Sequence, residues 1–224
     1  MSRNTATIDG SKEKRRYLTL LAGTIALIGS LFIGIAAGAV PITLREVFEV
    51  IQGVTQSENY RIIYYIRMPR VICAALTGTN LALAGCILQG ILRNPLADPG
   101  IIGVTAGAGL AAMALMLISP ELTYFVPFAA FGGAVVASIV VFLLAWEHGI
   151  HPLRLILAGV AIAAFFGGGS AALSVFFSDR IQGTVNWMAG GFAGNSWRHV
   201  VMILPYSAVG IVATMCSYRK LNAL

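Results

Sequence analysis

Charged residues are scarce in this chain. Only 11% of its 224 residues are Asp, Glu, Lys or Arg, whereas 58% are hydrophobic. Soluble domains average about 25% charged residues, so an ordinary soluble fold is excluded. The alternating polar and apolar pattern of a transmembrane β-barrel is missing as well. The composition therefore predicts an all-α integral membrane protein, folded as a multi-span helical bundle.

Motifs for nucleotide binding and catalysis are missing too. The few lysines all lie near the termini, and no Gly-x-x-x-x-Gly-Lys-Ser/Thr pattern occurs, so the chain cannot cradle ATP by that route. The net charge of +6 sits mainly at the ends and in short loops, which indicates membrane topology and not nucleic-acid binding. We expect no catalytic site, no cofactor and no nucleic-acid partner.

Cysteine and histidine are few and poorly spaced for a metal. Cys73, Cys86 and Cys216 stand singly within apolar runs, without a CxxC pair, and are interpreted as small core residues. His148 and His151 resemble half of a metal site, but no thiolate or third imidazole is near them in sequence. Solvated loop histidines are the favoured interpretation, so we expect no metal site.

Long apolar runs make up most of the chain. A helix needs about 20 apolar residues to cross a bilayer. Basic residues crowd the end of the first segment, so residues 1–16 are predicted to be a cytoplasmic tail and residues 17–224 a transmembrane domain. Six transmembrane helices are predicted, at residues 17–40, 70–92, 101–118, 124–146, 153–177 and 200–216.

Two connecting segments are predicted to contain short helices. In the outer segment 41–66, Thr43 and Glu46 have capping-box spacing, which predicts a helix ending near Ile51. The outer segment 178–199 has room for a partial or interfacial helix. Aromatic residues typical of the membrane–water boundary occur in these segments: Tyr60, Tyr64, Tyr65, Trp187 and Trp197.

The second predicted helix combines small and polar residues. Polar Asn80 and Gln89, with Thr77 and Thr79, lie at membrane depth, where contact with lipid is costly. They are expected to face either neighbouring helices or a water-filled path, and the sequence leaves both open. The small residues recur every four positions, which lets another helix approach closely: Ala74, Gly78, Ala82, Cys86 and Gly90.

A compact break joins the second and third predicted helices. Asp98 is a good N-cap, and Pro99 suits the first helical position. In the third helix, Gly103, Gly107 and Ala111 predict a second edge of close packing.

The fifth predicted helix has three consecutive glycines at its centre. Gly167, Gly168 and Gly169 weaken a helix and therefore suit a kink or hinge. Close packing against another helix is the alternative, and it stays open.

These motifs resemble those of the permease subunits of ABC importers for iron–siderophore complexes, haem and cobalamin, the FecCD or BtuC-like family. The resemblance extends from about Leu18 to the last residue. Its pieces are Arg-x-Pro-Arg at 67–70, Gln-Gly at 89–90, Asn-Pro-Leu-Ala-Asp-Pro-Gly at 94–100, Gly103, Gly-Ala at 107–108, Leu-Ile-Leu-Ala-Gly at 155–159, Trp-Met-Ala-Gly-Gly at 187–191, and Trp197.

The resemblance implies roles for residues at the two ends of a transport path. Arg67 matches the arginine that meets a carboxylate of the binding protein, as an exposed guanidinium can do. Contact with lipid phosphate is the alternative, and for Arg70 the two are equally open. Asn94 and Leu96 match the inner constriction of the path, with a structural turn as the alternative.

The fifth helix lines the path in the resembled family. Members can place a Thr-Ser gate just before this helix, but Pro152 and Leu153 occupy those positions here, which puts a polar gate there in doubt. Arg219 and Lys220 begin the segment that resembles the contact with the ATPase. Candidate residues for the path or gate, besides Asn94 and Leu96, are Asn80, Gln89, Phe165, Phe166, Ser170 and Ser174.

The family has ten transmembrane helices, so about six of ten are expected here, with the C-terminal helices absent. The resemblance implies a permease subunit of the bacterial cytoplasmic membrane with a cytoplasmic N-terminus. Its expected partners are a second permease subunit (a copy or a paralogue), cytoplasmic ATP-binding subunits and an extracytoplasmic binding protein. A ferric siderophore is the favoured cargo, with haem or cobalamin as alternatives.

Two other functions are weighed against this one. A secondary transporter or channel also uses broken helices and polar residues at membrane depth. It is disfavoured because no acidic residue lies inside a predicted span to hold a proton or sodium ion. An inactive membrane fragment is the third hypothesis, and we expect that the 224-residue chain does not transport on its own.

Overall fold

The computed structural model describes residues 4–55, 58–147, 149 and 151–221, and within the two terminal helices it describes side chains only from residue 12 to residue 217. In these ranges the chain is helical and has no β-strand, which confirms the predicted all-α fold. The α-helices are α1 (Asn4–Ala36), α2 (Leu44–Ile51), α3 (Met68–Leu92), α4 (Val104–Ile118), α5 (Val126–Ala145), α6 (Pro152–Phe176), α7 (Ile181–Met188) and α8 (Trp197–Leu221).

Five helical stretches in the described ranges are long and apolar enough to cross a membrane. The third predicted span, 101–118, corresponds to α4, an apolar helix of only 15 residues. At 1.5 Å per residue it is about 22 Å long, less than the roughly 30 Å of a bilayer core. Six full spans are therefore not confirmed. The five long stretches are Lys12–Ala36, Ile62–Leu92, Pro120–Ala145, Pro152–Phe176 and Trp197–Ser217.

Two predicted boundaries can be compared with the helices: the division at residue 16 and the outer segment 178–199. α1 is continuous from Asn4, so the division expected at residue 16 is not an element boundary. α7 is the short helix expected in the outer segment 178–199.

The described chain divides into two compact units, each with its own hydrophobic cluster. Unit 1 is the chain up to Thr77 with Phe192–Tyr206, and unit 2 is Gly78–Gly191 with the chain from Ser207 onward.

In unit 1, α2 begins at the predicted capping box. The Thr43 hydroxyl accepts a hydrogen bond from the Glu46 N–H at 3.3 Å, and the Glu46 carboxylate accepts one from the Thr43 N–H at 2.7 Å. The Asn59 amide donates to the same carboxylate at 2.7 Å. Hydrogen bonds from the Thr43 backbone, the Thr43 hydroxyl and Asn59 together lower the pKa of Glu46.

This lowered pKa predicts a pH-dependent contribution of Glu46 to stability. A carboxylate with a depressed pKa stabilises the folded chain above its ordinary pKa of 4.5, and that stabilisation is lost as the pH falls through the lower folded value. We expect Glu46→Gln to lower the melting temperature by a few degrees at pH 7. The difference from the wild type should shrink below pH 4.5, as measured by thermal unfolding of the purified protein in detergent.

Glu49→Gln is the matched control, because it breaks only the exposed pair between Arg45 and Glu49 on the same helix. A Glu46→Gln penalty that stayed constant across this pH range would contradict the prediction.

The second span starts earlier than predicted, at a π-helical turn over Ile62–Arg67. The N–H of Met68 bonds to the carbonyl of Ile63, five residues back. Pro69 explains this turn, because proline has no N–H and its ring clashes with the carbonyl four residues back in a regular α-helix. The π turn lets the helix continue through Pro69. Arg67 therefore lies inside a helical span instead of at its mouth.

The π turn leaves the carbonyl of Tyr64 without a helical donor. In π register its donor would be residue 69, which is Pro69. The indole Nε1 of Trp197 donates to this carbonyl at 2.8 Å, and the Tyr64 and Trp197 rings lie 5.2 Å apart. Trp197 also begins α8, slightly before the predicted start of the last span. This partly buried hydrogen bond joins the start of α8 to the π turn and satisfies the Tyr64 carbonyl.

In unit 2, α4 and α5 approach each other at glycines. A Cβ at Gly107 would lie 2.6 Å from the Cβ of Ala137 and 2.7 Å from the carbonyl oxygen of Gly133. A Cβ at Gly133 would overlap the carbonyl of Gly107 and lie 2.6 Å from the Cβ of Ala111. The close-packing edge predicted at Gly107 and Ala111 is confirmed, and its partner is α5.

Gly103 plays a different part from the one predicted. It has φ 75° and separates a 3₁₀ turn, Pro99–Ile102, from α4, so the third helix starts later than expected. A Cβ at Gly103 would lie 2.9 Å from the carbonyl oxygen of Gly159, and one at Gly159 would lie 2.5 Å from that of Ile101. The close contact at Gly103 is therefore with α6.

The small residues of α3 have open space at two positions in the described part of the chain. A Cβ at Gly78 or Gly90 would meet no heavy atom within 4 Å. The row allows a close approach, but no helix of the described ranges packs closely on these two glycines.

Candidate functional site

The chain reverses after α3 through a strained residue. Arg93 has φ 48°, and the N–H groups of Arg93 and Asn94 bond to the carbonyls of Gly90 and Gln89 at 3.4 and 3.2 Å. This is the Schellman pattern of a helix end, in which glycine normally takes the left-handed position. A side chain there costs about 1–2 kcal/mol. Because such strain concentrates at functional sites, Arg93 points to the loop that follows it.

Two side chains hold the loop between α3 and α4, as their positions in the sequence suggested. Asn94 Oδ1 accepts a hydrogen bond from the N–H of Leu96 at 2.9 Å. Asp98 Oδ1 accepts one from the N–H of Gly100 at 2.6 Å, which confirms the predicted N-cap, with Pro99 following it. Both bonds are Asx-type turns that fix backbone without a regular helix.

Adjacent residues of this loop have opposite environments. Ala97 is 7% exposed and belongs to a cluster with Leu92, Val141 and Leu155. Leu96 is 82% exposed. The loop is therefore anchored at Ala97 while the Leu96 side chain is presented outward.

A cavity of about 490 Å³ opens beside this loop in unit 2. The irregular backbone of this loop is buried at Ala97 and lines the cavity from Ala97 to Gly100. Gln89 lines the cavity, and its Nε2 lies 3.4 Å from the carbonyl oxygen of Ala97, a long hydrogen bond. The lining residues are Leu81, Ala82, Gly85, Cys86, Gln89, Ala97, Asp98, Pro99, Gly100 and Thr105.

Asn80, also predicted for the path, is bonded to another helix. Its Nδ2 donates to the Oγ of Ser207 in α8 at 2.8 Å, and Ser207 is buried. Of the two readings that the sequence left open, this contact favours the helix-to-helix hydrogen bond for Asn80. Gln89 lines the cavity, and its role in a path stays a prediction.

The α6 residues predicted to line the path are not brought to this cavity. Ser170 and Ser174 donate to carbonyls of their own helix at 3.1 and 2.8 Å. Phe166 packs toward Gly107, with its ring 3.2 Å from a Cβ built there. Phe165 is exposed.

The three glycines of α6 lie within an unbroken helix. α6 is continuous from Pro152 to Phe176 in this conformation, and a hinge at Gly167–Gly169 stays a prediction. A Cβ at Gly167 or Gly168 would meet no heavy atom within 4 Å, whereas one at Gly169 would lie 3.1 Å from the Leu110 side chain. Only Gly169 thus fits the alternative of close packing, and α4 is its neighbour.

Arg67 in unit 1 is buried, so the expectation that its guanidinium is exposed is wrong. It is 8% exposed, and its Nη1 donates to the carbonyls of Ile35 and Ala36 at 2.9 and 2.6 Å. Its Nη2 donates to the carbonyl of Val40 at 2.6 Å. These carbonyls lie at and just after the end of α1, where unsatisfied C=O groups give the negative end of the helix dipole.

Glycine at position 38 makes room for this arrangement. A Cβ there would lie 2.6 Å from Nη2 of Arg67. Arg70, three residues further along, is exposed. Of the two predicted docking arginines, Arg70 alone presents its side chain to solvent within the described chain.

Three predicted residues lie outside what the structure describes. The side chains of Arg219 and Lys220 are outside the described side chains, and His148 is outside the described residues. Within the described ranges no three His, Cys, Asp or Glu residues come together as metal ligands.

Sequence reasoning missed several contributors to the site. Cys86 was interpreted as a core residue, and Thr105 carried no signal, yet both line the cavity. Spacing gave a usable hint for Cys86, because it lies one turn from Gln89 on α3. The strain at Arg93 had no sequence signature.

Comparisons with known proteins agree on one family. The FecCD transport family matches residues 25–224. The Fe(3+)-citrate import system permease protein YfmE of Bacillus subtilis (strain 168) is 38% identical over 196 residues, covering 87% of this chain and 59% of that protein. The Fe(3+) dicitrate transport system permease protein FecD of Escherichia coli (strain K12) is 31% identical over 202 residues, covering 90% and 62%.

A solved structure, described as an inward-facing conformation of an ABC transporter of the metal-chelate type, aligns with a TM-score of 0.73. It is 25% identical, and the alignment covers 92% of this chain and 63% of that one. The chain thus spans about 60% of the length of these relatives. Since the family match includes α3, the strained loop and the cavity beside it, this membrane-spanning chain belongs to the FecCD transport family.

Proposed function

We propose that this chain acts as a transmembrane permease subunit of an ATP-binding-cassette importer that moves a metal chelate into the cytoplasm. The observation that carries the proposal is the FecCD match over residues 25–224. Relatives named for ferric citrate and for hydroxamate import support an iron chelate as cargo, with a ferric siderophore favoured over haem or cobalamin. ATP hydrolysis belongs to a separate subunit, because the sequence has no P-loop motif.

The proposed assembly contains two permease subunits, cytoplasmic ATP-binding subunits and an extracytoplasmic binding protein. It lies in the bacterial cytoplasmic membrane. The basic residues before the apolar part of α1 support a cytoplasmic N-terminus. Exposed Arg70 suits docking of the binding protein by a charge-assisted contact. Arg219 and Lys220 are proposed to face the ATP-binding subunit.

Asn94 and Leu96 are proposed to form the inner constriction. Support comes from the fixed loop, in which Ala97 is buried and the Leu96 side chain stands free next to the cavity. A hydrophobic constriction needs an apolar side chain held on a rigid backbone. The two Asx-type turns hold the backbone of this loop in place. Gln89 lines the same space and is proposed as its polar wall.

Purification and reconstitution test the function. The tagged chain, isolated from the membranes of its host, is expected to bring with it a subunit containing a P-loop. In liposomes loaded with ATP, the complex with its binding protein is expected to take up ferric siderophore, whereas the 224-residue chain alone is not. Uptake that follows a proton or sodium gradient without ATP would establish a secondary transporter instead.

Leu96→Ala separates a gate from a turn. The turn uses the backbone N–H of Leu96, so a purely structural loop predicts unchanged assembly and unchanged uptake. A gate predicts intact assembly with altered ATP-driven uptake or an ATP-independent leak. Leu122→Ala, at another exposed leucine outside the cavity, is the matched control.

A further inference from the structure

Helix α2 lies outside the five membrane-length stretches and has three distinct faces. Its first face is buried, because Val47 and Val50 belong to the hydrophobic cluster with Ile35 and Ile63 in unit 1. Its second face is polar, where Arg45 and Glu49 form an exposed ion pair at 2.9 Å. Burial of one face and solvation of another would suffice to explain an ordinary surface helix.

The third face of α2 is apolar and uncovered. Leu44, Phe48 and Ile51 are spaced by four and three residues, which places them in one stripe. They are 56%, 53% and 50% exposed. Three large apolar side chains on an eight-residue helix form a patch that a soluble surface rarely carries without a partner.

The depth of this stripe is set by a ring contact with α1. The ring of Phe48 stacks on that of Phe32, with centroids 5.4 Å apart and an angle of 11° between the planes. Phe32 lies four residues before the end of the stretch Lys12–Ala36. At 1.5 Å per residue, Phe48 is therefore level with a point about 6 Å inside the apolar part of α1.

The α1 surface that leads to this contact is itself open and apolar. Ile25, Ile28 and Ile33 are all at least half exposed on a helix long enough to cross a bilayer. Such side chains are suited to face lipid, and the stripe of α2 adds to this apolar surface near the end of α1.

We propose that α2 is an interfacial helix whose stripe of Leu44, Phe48 and Ile51 rests on phospholipid acyl chains at the boundary of one leaflet. The polar face with Arg45 and Glu49 then lies toward the headgroups and water. This proposal depends on the membrane-spanning α1 and not on the transport function.

Anchoring α2 in lipid fixes more than one helix. Asn59 bonds to Glu46 of α2, and the connector before α2 supplies the Val40 carbonyl to Arg67. Lipid contact would thus hold the end of α1, α2 and the π turn at one depth. The polar face of α2, with Arg45 and Glu49, is not needed for this anchoring.

Photo-crosslinking tests the proposal on the full chain in bacterial membranes. Phe48 is replaced by p-benzoylphenylalanine, with replacement of Leu27 on α1 as the lipid-facing reference and of Arg45 on the polar face of α2 as the matched control. All three side chains are exposed, p-benzoylphenylalanine keeps an aromatic ring at position 48 to stack on Phe32, and the replacement at position 45 removes only the exposed pair with Glu49. Phospholipid adducts, measured by mass spectrometry, are expected at position 48 at the level of position 27 and about tenfold above position 45.

Two outcomes overturn the proposal. Crosslinks from position 48 to protein, whether a second copy or another subunit, would make the stripe a protein interface. Absence of adducts at position 48, while position 27 yields them, would place the stripe in water.

Discussion

Gly133→Ala and Gly107→Ala are expected to lower the melting temperature of the purified chain by about 5–10 °C. Each added Cβ would meet backbone, the carbonyl of the facing glycine, which cannot rotate away as a side chain can. Overpacking of this kind costs about 1–3 kcal/mol, and for a chain of this size each kcal/mol corresponds to roughly 2–4 °C. Thermal unfolding in detergent, followed by size-exclusion chromatography, measures the effect.

The same substitution at nearby glycines of the two helices supplies the control. Gly109→Ala on α4 and Gly132→Ala on α5 add a Cβ where no heavy atom lies within 4 Å. Alanine is the better helix former by about 1 kcal/mol, so these variants should be as stable as the wild type or slightly more stable. Equal melting temperatures for the two pairs would show that α4 and α5 do not meet at Gly107 and Gly133.

The α4–α5 crossing also shows how far sequence reasoning reached. Spacing alone predicted the small-residue edge of Gly107 and Ala111, because small residues four apart share a helix face. It did not predict the partner, since which helix packs on an edge depends on tertiary structure. The equally regular row in α3 found no close partner at Gly78 or Gly90. A row of small residues thus permits close helix packing but does not predict that such packing occurs.

Sequence motifs were reliable where a side chain forms a hydrogen bond with backbone a few residues away. The capping box at Thr43 and the N-cap at Asp98 both formed, because their partners lie two or three residues away. The α6 glycines show the opposite limit. Their low helix propensity suited a kink or hinge, with close packing as the open alternative, and α6 is continuous in this conformation. Propensity differences of about 1 kcal/mol per glycine are small beside the cost of exposing broken backbone in lipid.

The candidate site divides in the same way. Gln89, Asn94 and Leu96 were all expected to belong to the transport path. Gln89 lines the cavity, together with Ala97 of the loop that Asn94 holds. Asn80 was grouped with them, yet its amide is used by Ser207, more than 120 residues further along the chain. No local pattern specifies such a contact. The positive φ of Arg93 was equally hidden, since glycine is the residue that usually announces it.

The predicted position of Arg67 at the mouth of the second span was wrong for a physical reason. Aromatic residues and a proline before position 70 are typical of a membrane boundary, so the helix was expected to start there. The π turn carries the helix through Pro69 instead and directs Arg67 to carbonyls about 30 residues earlier in the chain. The resemblance assigned Arg67 to docking, but its three hydrogen bonds assign it first to the fold.

Arg67→Ala is expected to lower the melting temperature by about 5–10 °C. The substitution leaves the carbonyl of Ile35 without this donor in a buried place, and those of Ala36 and Val40 without it in partly buried places. Unsatisfied buried groups cost about 1–3 kcal/mol each, and partial access of water to the helix end reduces the sum to roughly 3 kcal/mol. Arg67→Lys should recover only part of this, because one ammonium group cannot span carbonyls that two guanidinium nitrogens serve.

Arg70→Ala is the matched control, three residues along the same helix and exposed. It should change stability by less than about 0.5 kcal/mol, as is usual for surface sites. Capture by the binding protein then separates fold from docking. A docking role for Arg70 predicts that Arg70→Ala weakens capture while the melting temperature is unchanged. If Arg67→Ala instead melted like the wild type and lost only capture, the carbonyl contacts would be incidental, and Arg67 would be the docking residue that the resemblance implies.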